Sequence, residues 1–214
     1  MHRVSSSAHL SRPTTSTTFP PVSLSAARSP LPPVSRCRSG LTLDNERPRR
    51  KKFGLVAVYA FALSVGDDDI DTLVRNSSSG EDFLQGVLAG QTRCRLSLKF
   101  YRTVDKATLV SAIEDSVRPR LRNPEKAGLA WLSDTILDMV AQLGGSVTPG
   151  TELSFTWNET DGVLCIQLND GGSLCLRSPD LAAALFDVYL GKDPISVDGR
   201  QNIIAGAELL RKTA

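Results

Sequence analysis

The feature that most constrains the fold is a series of three short alternating segments between residues 151 and 177. In the first segment, Leu153, Phe155 and Trp157 alternate with polar residues, which is the period-two pattern of a strand with one buried face. Asp-Gly pairs, which favour tight hairpin turns, separate the three segments. The pattern therefore predicts a three-stranded antiparallel meander whose apolar face must be covered by another layer.

Two further segments upstream have the composition of strands. Residues 52–65 are rich in Val, Ala, Leu and aromatic residues and predict a long strand or a bent pair of strands. Residues 92–102 alternate strictly, and this predicts a strand with one face in a core and one wetter face. The residues expected on the core face are Cys94, Leu96, Leu98 and Phe100, and those on the wetter face are Arg95, Ser97, Lys99 and Tyr101.

Helical patterns account for most of the remaining folded part. Short helices are predicted over residues 66–74 and 81–90, and longer ones over 106–121, 125–143 and 200–212. Asp105 and Asn123 are suited to cap the first two of these longer helices, and Gly144-Gly145 is suited to end the second. Since the strands are largely segregated from the helices, the sequence predicts an α+β protein with a helical layer on an antiparallel sheet.

The stretch SPDLAAALFDVYLGKDPIS, residues 178–196, predicts a helix with well-defined ends. Ser178 is suited to be the N-cap, and Pro179 occupies the first turn, where its missing N–H is not needed. Gly191 is expected to be a left-handed C-cap, and Pro194 prevents the helix from resuming. The apolar stripe, which predicts that the helix is buried, consists of Leu181, Ala184, Leu185, Val188 and Tyr189.

Residues 1–50 differ from the rest of the chain. They contain no acidic residue before Asp44, and they are rich in Ser, Thr, Pro and Arg. This composition is typical of organelle transit peptides, those of chloroplasts above all, and the alternative is a disordered tail with no targeting role. The basic run at 47–52 is interpreted as a solvated linker, with a nuclear signal as the alternative. We therefore expect a plastid transit peptide and disordered linker over 1–50, a folded domain over 51–214 and a stromal location.

Composition excludes several classes of partner and site. The formal net charge is only +2 and no apolar run is long enough to span a bilayer, so we expect neither a nucleic-acid partner nor a membrane span. Both histidines, His2 and His9, lie in the predicted leader. The four cysteines show no CxxC spacing, and those at 94, 165 and 175 lie in strand-like segments, which favours buried free thiols over metal ligands. No metal site and no cofactor are expected.

The order of these segments resembles the chalcone isomerase superfamily. The match extends from about Phe53 to the C-terminus, and its strongest part is the helix that ends in Gly-Lys-Asp-Pro. It is more similar to the non-catalytic members, the chalcone isomerase-like and plastid fatty-acid-binding proteins. The resemblance implies an open-faced β-sandwich, with a large antiparallel sheet packed on a layer of helices and a ligand cleft between them.

The resemblance also allows the polar positions of the isomerase to be compared one at a time. Tyr101 keeps the family's tyrosine, and Thr108 replaces an asparagine. Gly54 and Val188 stand where the enzyme has hydroxyl side chains, and the family's arginine has no clear equivalent, Arg38 being the nearest. Removing one preorganised donor typically lowers the rate by about 10²–10³, so the sequence favours a protein without isomerase activity and no catalytic residue is assigned.

We expect a non-catalytic protein of plastid fatty-acid metabolism that binds a fatty acid or a similar amphipathic carboxylate. One alternative is a chalcone–flavanone isomerase, an intramolecular lyase, and another is a ligand-free protein-interaction module. A hydroxyl can anchor a carboxylate or a ketone, and nearby cations can attract a carboxylate to the mouth of a cleft. The candidate ligand-binding residues are Tyr101, Tyr59, Thr108, Arg95 and Lys99.

Overall fold

The computed structural model describes residues 43–45, 58–158 and 161–213, and for residues 43–45, 67–69 and 213 it describes the backbone alone. The predictions for the leader before residue 43, and for Gly54, lie outside the described residues. The strands are β1 (Leu43–Asn45), β2 (Tyr59–Val65), β3 (Cys94–Phe100), β4 (Val104–Asp105), β5 (Ser146–Val147), β6 (Glu152–Asn158), β7 (Val163–Leu168) and β8 (Ser173–Arg177). The helices are α1 (Asp67–Asn76), α2 (Gly80–Leu88), α3 (Lys106–Val117), α4 (Pro124–Ala127), α5 (Leu129–Ala141), α6 (Pro179–Leu190) and α7 (Val197–Thr213), and a 3₁₀ turn, Arg118–Arg120, extends α3.

Six strands form one antiparallel sheet in the order β1-β2-β3-β6-β7-β8, and β4 pairs with β5 separately. The predicted meander is confirmed as β6, β7 and β8. Strand β1 pairs with β2, with Leu43 opposite Leu63, so the sheet already includes residues that precede position 51. The strand predicted over 52–65 is observed from Tyr59 to Val65, and residues 51–57 lie outside the described part of the chain.

The alternation predicted for β3 is also confirmed. Cys94, Leu96, Leu98 and Phe100 are each no more than 1% exposed and face the helices, whereas Arg95 and the other intervening residues face away from them. We call the helix-covered side of the sheet the inner face and the opposite side the outer face. Helices α5 and α6 pack on the inner face and α3 packs on those two helices, and this layered arrangement is the predicted α+β architecture.

The helix predicted over residues 125–143 is divided in two. Asn123 caps α4 by accepting a hydrogen bond from the Lys126 amide at 3.1 Å, as expected, but Gly128 then adopts φ +82° and separates α4 from α5. A Cβ atom at Gly128 would lie 2.7 Å from the Leu176 side chain on β8. The break therefore follows from a left-handed backbone at a point of close approach, which a periodicity of apolar residues does not reveal.

Helix α6 begins as predicted and ends differently. The Ser178 hydroxyl accepts a hydrogen bond from the Leu181 amide at 3.3 Å and donates one to the Ala127 carbonyl at 2.7 Å. The prediction of a left-handed Gly191 is wrong, because its φ of −68° and ψ of −173° are extended. Glycine is required there for space, since a Cβ atom would lie 2.1 Å from Oδ1 of Asp187.

The prediction of free thiols is wrong for Cys165 and Cys175, which form a disulfide on the outer face. They belong to the paired strands β7 and β8 and lie directly opposite each other in the register. Sequence spacing alone does not give this register. Cys94 is a buried free thiol as expected, and burial raises its pKa to about 12.

Candidate ligand cavity

A cavity of about 50 Å³ lies between the inner face of the sheet and helices α3 and α6. Its buried floor comes from three sheet residues of β3 and β6, three residues of α3 and three of α6. These floor residues are Leu98, Phe100, Phe155, Leu109, Ile113, Val117, Leu185, Val188 and Tyr189. Eight of the nine side chains are hydrocarbon, so the floor is suited to an apolar group.

Four lining residues are half-buried or exposed and therefore form the mouth of the cavity. They are Tyr59 at the start of β2, Ala112 and Ser116 on α3, and Ile195, which follows α6. The Ser116 hydroxyl donates to the Ala112 carbonyl at 2.7 Å and keeps an acceptor site. The mouth thus carries hydroxyl groups, while the floor is almost wholly apolar.

Both tyrosines of the cavity are held by aromatic neighbours on the sheet. The Tyr59 ring lies 5.9 Å from that of Phe100, and the Tyr189 ring lies 5.0 Å from that of Phe61, measured between centroids. Tilted ring pairs at such separations are favourable and restrict ring motion. The sequence pattern gave Tyr189 only as part of a buried stripe. The signal that could have identified it is a phenol within an otherwise hydrocarbon stripe.

Of the five predicted ligand-binding residues, the structure brings only Tyr59 to the cavity. Tyr101 is 41% exposed and follows the inner-face residue Phe100, so it lies toward the outer face. Thr108 is exposed at the start of α3, where its amide and hydroxyl donate to the Asp105 carboxylate at 3.0 and 2.6 Å. These bonds keep the pKa of Asp105 below its usual value.

The two predicted cations also belong to the outer face. Arg95 donates through Nη2 to Oγ of Ser154 at 2.7 Å and to Oε1 of Gln167 at 2.9 Å. Lys99 is exposed and lies opposite Glu152 in the register of β3 and β6. Their common period with Tyr101 is correct, but the side they share is the one away from the cavity.

Val188 lines the cavity, at the position where the isomerase comparison expected a hydroxyl. Among the described residues, no arginine, lysine or histidine lines the cavity. The carboxyls whose pKa is lowered, Glu81, Asp105 and Glu208, do not line it either. The described walls can therefore bind an apolar group and carry hydroxyl oxygens near it, but they supply no charge.

Arg120 lies just beyond the mouth and makes three side-chain hydrogen bonds. Nε donates to Oδ2 of Asp187 at 2.8 Å, Nη1 to the Ser116 carbonyl at 2.7 Å and Nη2 to the Asp193 carbonyl at 2.6 Å. From the sequence, the helix dipole at the end of α3 was a sufficient explanation for this arginine. The structure adds that it joins α3 to α6 and to the turn after α6.

Two classes of site find no support within the described ranges 43–45, 58–158 and 161–213. No group of three or more His, Cys, Asp or Glu side chains is arranged to hold a metal ion. No helix there combines the length and the hydropathy needed to cross a bilayer.

Comparison with known proteins identifies the fold. In the crystal structures compared, a fatty-acid binding protein from Arabidopsis thaliana superposes with a TM-score of 0.56 at 18% identity, covering 76% of this chain and 85% of that one. At such an identity the likeness concerns the fold. No curated protein sequence matches the chain significantly.

A family model described as chalcone isomerase-like matches residues 48–204. The superfamily predicted from the order of segments is thereby confirmed, together with the fold class. Since the match covers well over half of the 214 residues, the chain belongs to the chalcone isomerase-like family.

Proposed function

We propose that this protein binds a long-chain fatty acid or another amphipathic carboxylate in the cavity and does not convert it chemically. The observation that carries the proposal is the apolar floor between the sheet and α3 and α6, with hydroxyls at its mouth. The structural likeness to a fatty-acid binding protein, which concerns the fold alone, agrees with it. The acyl chain would lie on the floor, and the carboxylate would lie at the mouth, near Tyr59.

The energetics of the floor favour an acyl chain once the walls have moved apart to admit it. Burial of one methylene contributes about 0.8 kcal/mol, so about ten buried methylenes would contribute roughly 8 kcal/mol before ordering costs. Micromolar affinity corresponds to about 8 kcal/mol, so further buried methylenes must offset the ordering costs. The polar groups at the mouth then determine the orientation of the ligand more than its affinity.

The composition of the described walls supports binding over isomerisation. Ring closure of a chalcone requires groups that stabilise a phenolate and polarise a ketone. Val188 offers no hydroxyl, Tyr101 lies toward the outer face, and no cation of the described part of the chain lines the cavity. The hydroxyls that do line it belong to Tyr59, Ser116 and Tyr189.

We place this binding in plastid fatty-acid metabolism, within the stroma, on the composition of residues 1–50 alone. A fusion of these residues to a fluorescent protein should accumulate in plastids. A uniformly cytosolic or a nuclear signal would reject the location without affecting the proposed ligand.

The small volume favours a second candidate, a protein-interaction module that uses the fold without a ligand. A single water requires roughly 10–15 Å³, so about 50 Å³ accommodates only a few small groups. A long acyl chain therefore fits only if the walls of the cavity move. Binding to other proteins in the absence of lipid, with no measurable affinity for any acyl chain, would favour this candidate.

The test is titration calorimetry of the full chain with fatty acids of increasing length, beside a spectrophotometric assay of chalcone consumption. We expect binding that strengthens with chain length and no protein-dependent loss of chalcone absorbance. Rapid loss of that absorbance without acyl binding would overturn the proposal and support the isomerase.

A further inference from the structure

The cavity is too small for the ligand proposed for it, which raises the question of which wall can move. Three of its walls are built into the sheet or into helices α3 and α6. The fourth is Ile195, which belongs to a six-residue connection, Gly191–Ser196, between α6 and α7. We call this connection the strap.

Two hydrogen bonds hold the middle of the strap, while its ends are joined to α6 through the Gly191 amide and to α7 through Ser196. The Ile195 amide donates to the Val188 carbonyl of α6 at 2.8 Å, and the Asp193 carbonyl accepts from Nη2 of Arg120 at 2.6 Å. Lys192 and Asp193 are exposed, and Ile195 is only partly buried. A segment with few buried contacts opens at a lower free energy than the core does.

Arg120 is the one group outside α6 and α7 that the described hydrogen bonds connect to the strap. It also binds Asp187 and the Ser116 carbonyl, so it ties the strap to a residue at the mouth. The neighbouring Arg118 provides a contrast, because it is more exposed and pairs with Glu114 one turn earlier on α3. The two arginines differ in their connection to the strap.

Gly191, the first residue of the strap, lies against Asp187, which pairs with Arg120. Its extended backbone is accessible to any residue, but a Cβ atom there would collide with the carboxylate of Asp187. Asp187 is the carboxylate that pairs with Arg120. The start of the strap, Asp187 and Arg120 are therefore interlocked, and a displacement of one disturbs the other two.

We propose that the strap is the gate of the cavity and that Arg120 is the latch that keeps it closed. When Nη2 of Arg120 releases the Asp193 carbonyl, Ile195 moves away from the mouth and the cavity opens toward α3. The proposal rests on the proposed function for the identity of the ligand. The latch itself is a positioning residue and can be tested without a ligand.

The first test compares Arg120→Gln with the matched control Arg118→Gln by stopped-flow binding of cis-parinaric acid, a fluorescent fatty acid. A hydrogen bond from a charged group is strong enough that its loss should raise the association rate about tenfold or more in Arg120→Gln. The rate for Arg118→Gln should stay within about twofold of the wild type, as for most surface changes. Equal rates in the two variants would overturn the latch while leaving acyl binding established.

The second test needs no ligand and separates the latch from the proposed function. Hydrogen–deuterium exchange of a peptide spanning residues 190–196 should be about tenfold faster in Arg120→Gln than in Arg118→Gln. A peptide from β3 should exchange at the same rate in both. Unchanged exchange of the strap would reject the latch, whereas failure of the wild type to bind cis-parinaric acid would reject only the acyl ligand.

Gly191→Ala disturbs the strap at its first residue instead of at Arg120. It is therefore the variant to use if Arg120→Gln does not fold. The added methyl group fits the extended torsions of Gly191 but collides with both the carboxylate and the backbone carbonyl of Asp187, so it displaces the end of α6 or the strap. It should accelerate exchange of residues 190–196 and association of cis-parinaric acid, as Arg120→Gln does. Faster exchange over the whole domain, β3 included, would indicate general destabilisation and contradict a local gate.

Discussion

The two faces of the six-stranded sheet are stabilised by different interactions, although the same strands form both. The inner face is covered by helices and consists of fully buried apolar residues such as Leu96 and Phe155, with the cavity at one end. The outer face carries polar pairs, the Arg95 hydrogen bonds and the Cys165–Cys175 disulfide. Packing therefore stabilises one face, whereas hydrogen bonds and a covalent bond stabilise the other.

Neighbouring residues of one strand lie on opposite faces of the sheet, so a shift of one position decides whether a residue can line the cavity. Phe100 lines the cavity, and Tyr101 beside it is exposed away from the cavity. A family motif identifies such a residue by its place in the sequence. Its face becomes known only when the pairing of the strand and the position of the helical layer are known.

The largest expected difference between the faces concerns stability. Leu96→Ala removes a fully buried inner side chain that does not line the cavity, and it should lower the free energy of unfolding by about 2–5 kcal/mol. The control Lys99→Ala on the outer face of the same strand should cost less than about 1 kcal/mol, because Lys99 is exposed and can lose at most a cross-strand interaction with Glu152. Urea denaturation measures both, and similar losses would contradict the distinction between the faces.

Reduction of the disulfide should be the next largest effect. Cys165 and Cys175 close a loop with a sequence separation of 10, and closure of such a loop stabilises a protein by roughly 2–3 kcal/mol. Dithiothreitol should therefore lower the urea midpoint of the oxidised protein. The double variant Cys165→Ser, Cys175→Ser should already have the lower midpoint and should not respond to dithiothreitol. A wild-type midpoint that does not change after complete reduction would contradict this.

Much of the fold follows from the sequence because its signals are local. The alternation of β3, the caps at Asp105 and Ser178, and the three strands of the meander each depend on a few neighbouring residues, and all are observed. The break at Gly128 and the extended Gly191 depend on contacts with Leu176 and Asp187 in three dimensions. No local pattern encodes these contacts.

The cavity was less accessible to sequence reasoning for the same reason. Its walls come from β2, β3, β6, α3, α6 and the strap, which span residues 59–195. Tyr59 was identified because a phenol in an apolar strand requires a polar partner. Ser116, Tyr189 and Ile195 were missed, because each fits an ordinary helical or loop position when it is considered alone.

A third prediction concerns the polar network of the outer face. Arg95→Met keeps most of the apolar stem but removes the donor shared by Ser154 and Gln167, and Ser154 is only 2% exposed. Leaving a buried polar group with a poorer partner should cost about 1–2 kcal/mol. The control Arg102→Met, at an exposed position, should change the urea midpoint by less than the error of the measurement. Weaker acyl binding in Arg95→Met would indicate that the outer face takes part in ligand binding and would contradict the assignment to the cavity.

The smallest expected effect compares one hydroxyl from each side of the sheet. Tyr59→Phe removes the phenol at the mouth of the cavity and should weaken acyl binding by about 0.5–1.5 kcal/mol if that hydroxyl bonds the carboxylate. Tyr101→Phe removes a phenol of the same chemistry that lies toward the outer face, and it should leave the affinity unchanged. Calorimetry with one fatty acid measures both.

The reverse result would be as informative as the expected one. A loss with Tyr101→Phe and none with Tyr59→Phe would move the carboxylate to the other side of the sheet, where Arg95 and Lys99 share the face of Tyr101. No loss with either variant would leave Ser116 and Tyr189 as the hydroxyls to be tested, because they are the other two at the cavity. Whenever the two variants differ in affinity, the difference assigns the polar end of the ligand to one face, independently of the contribution of the apolar floor.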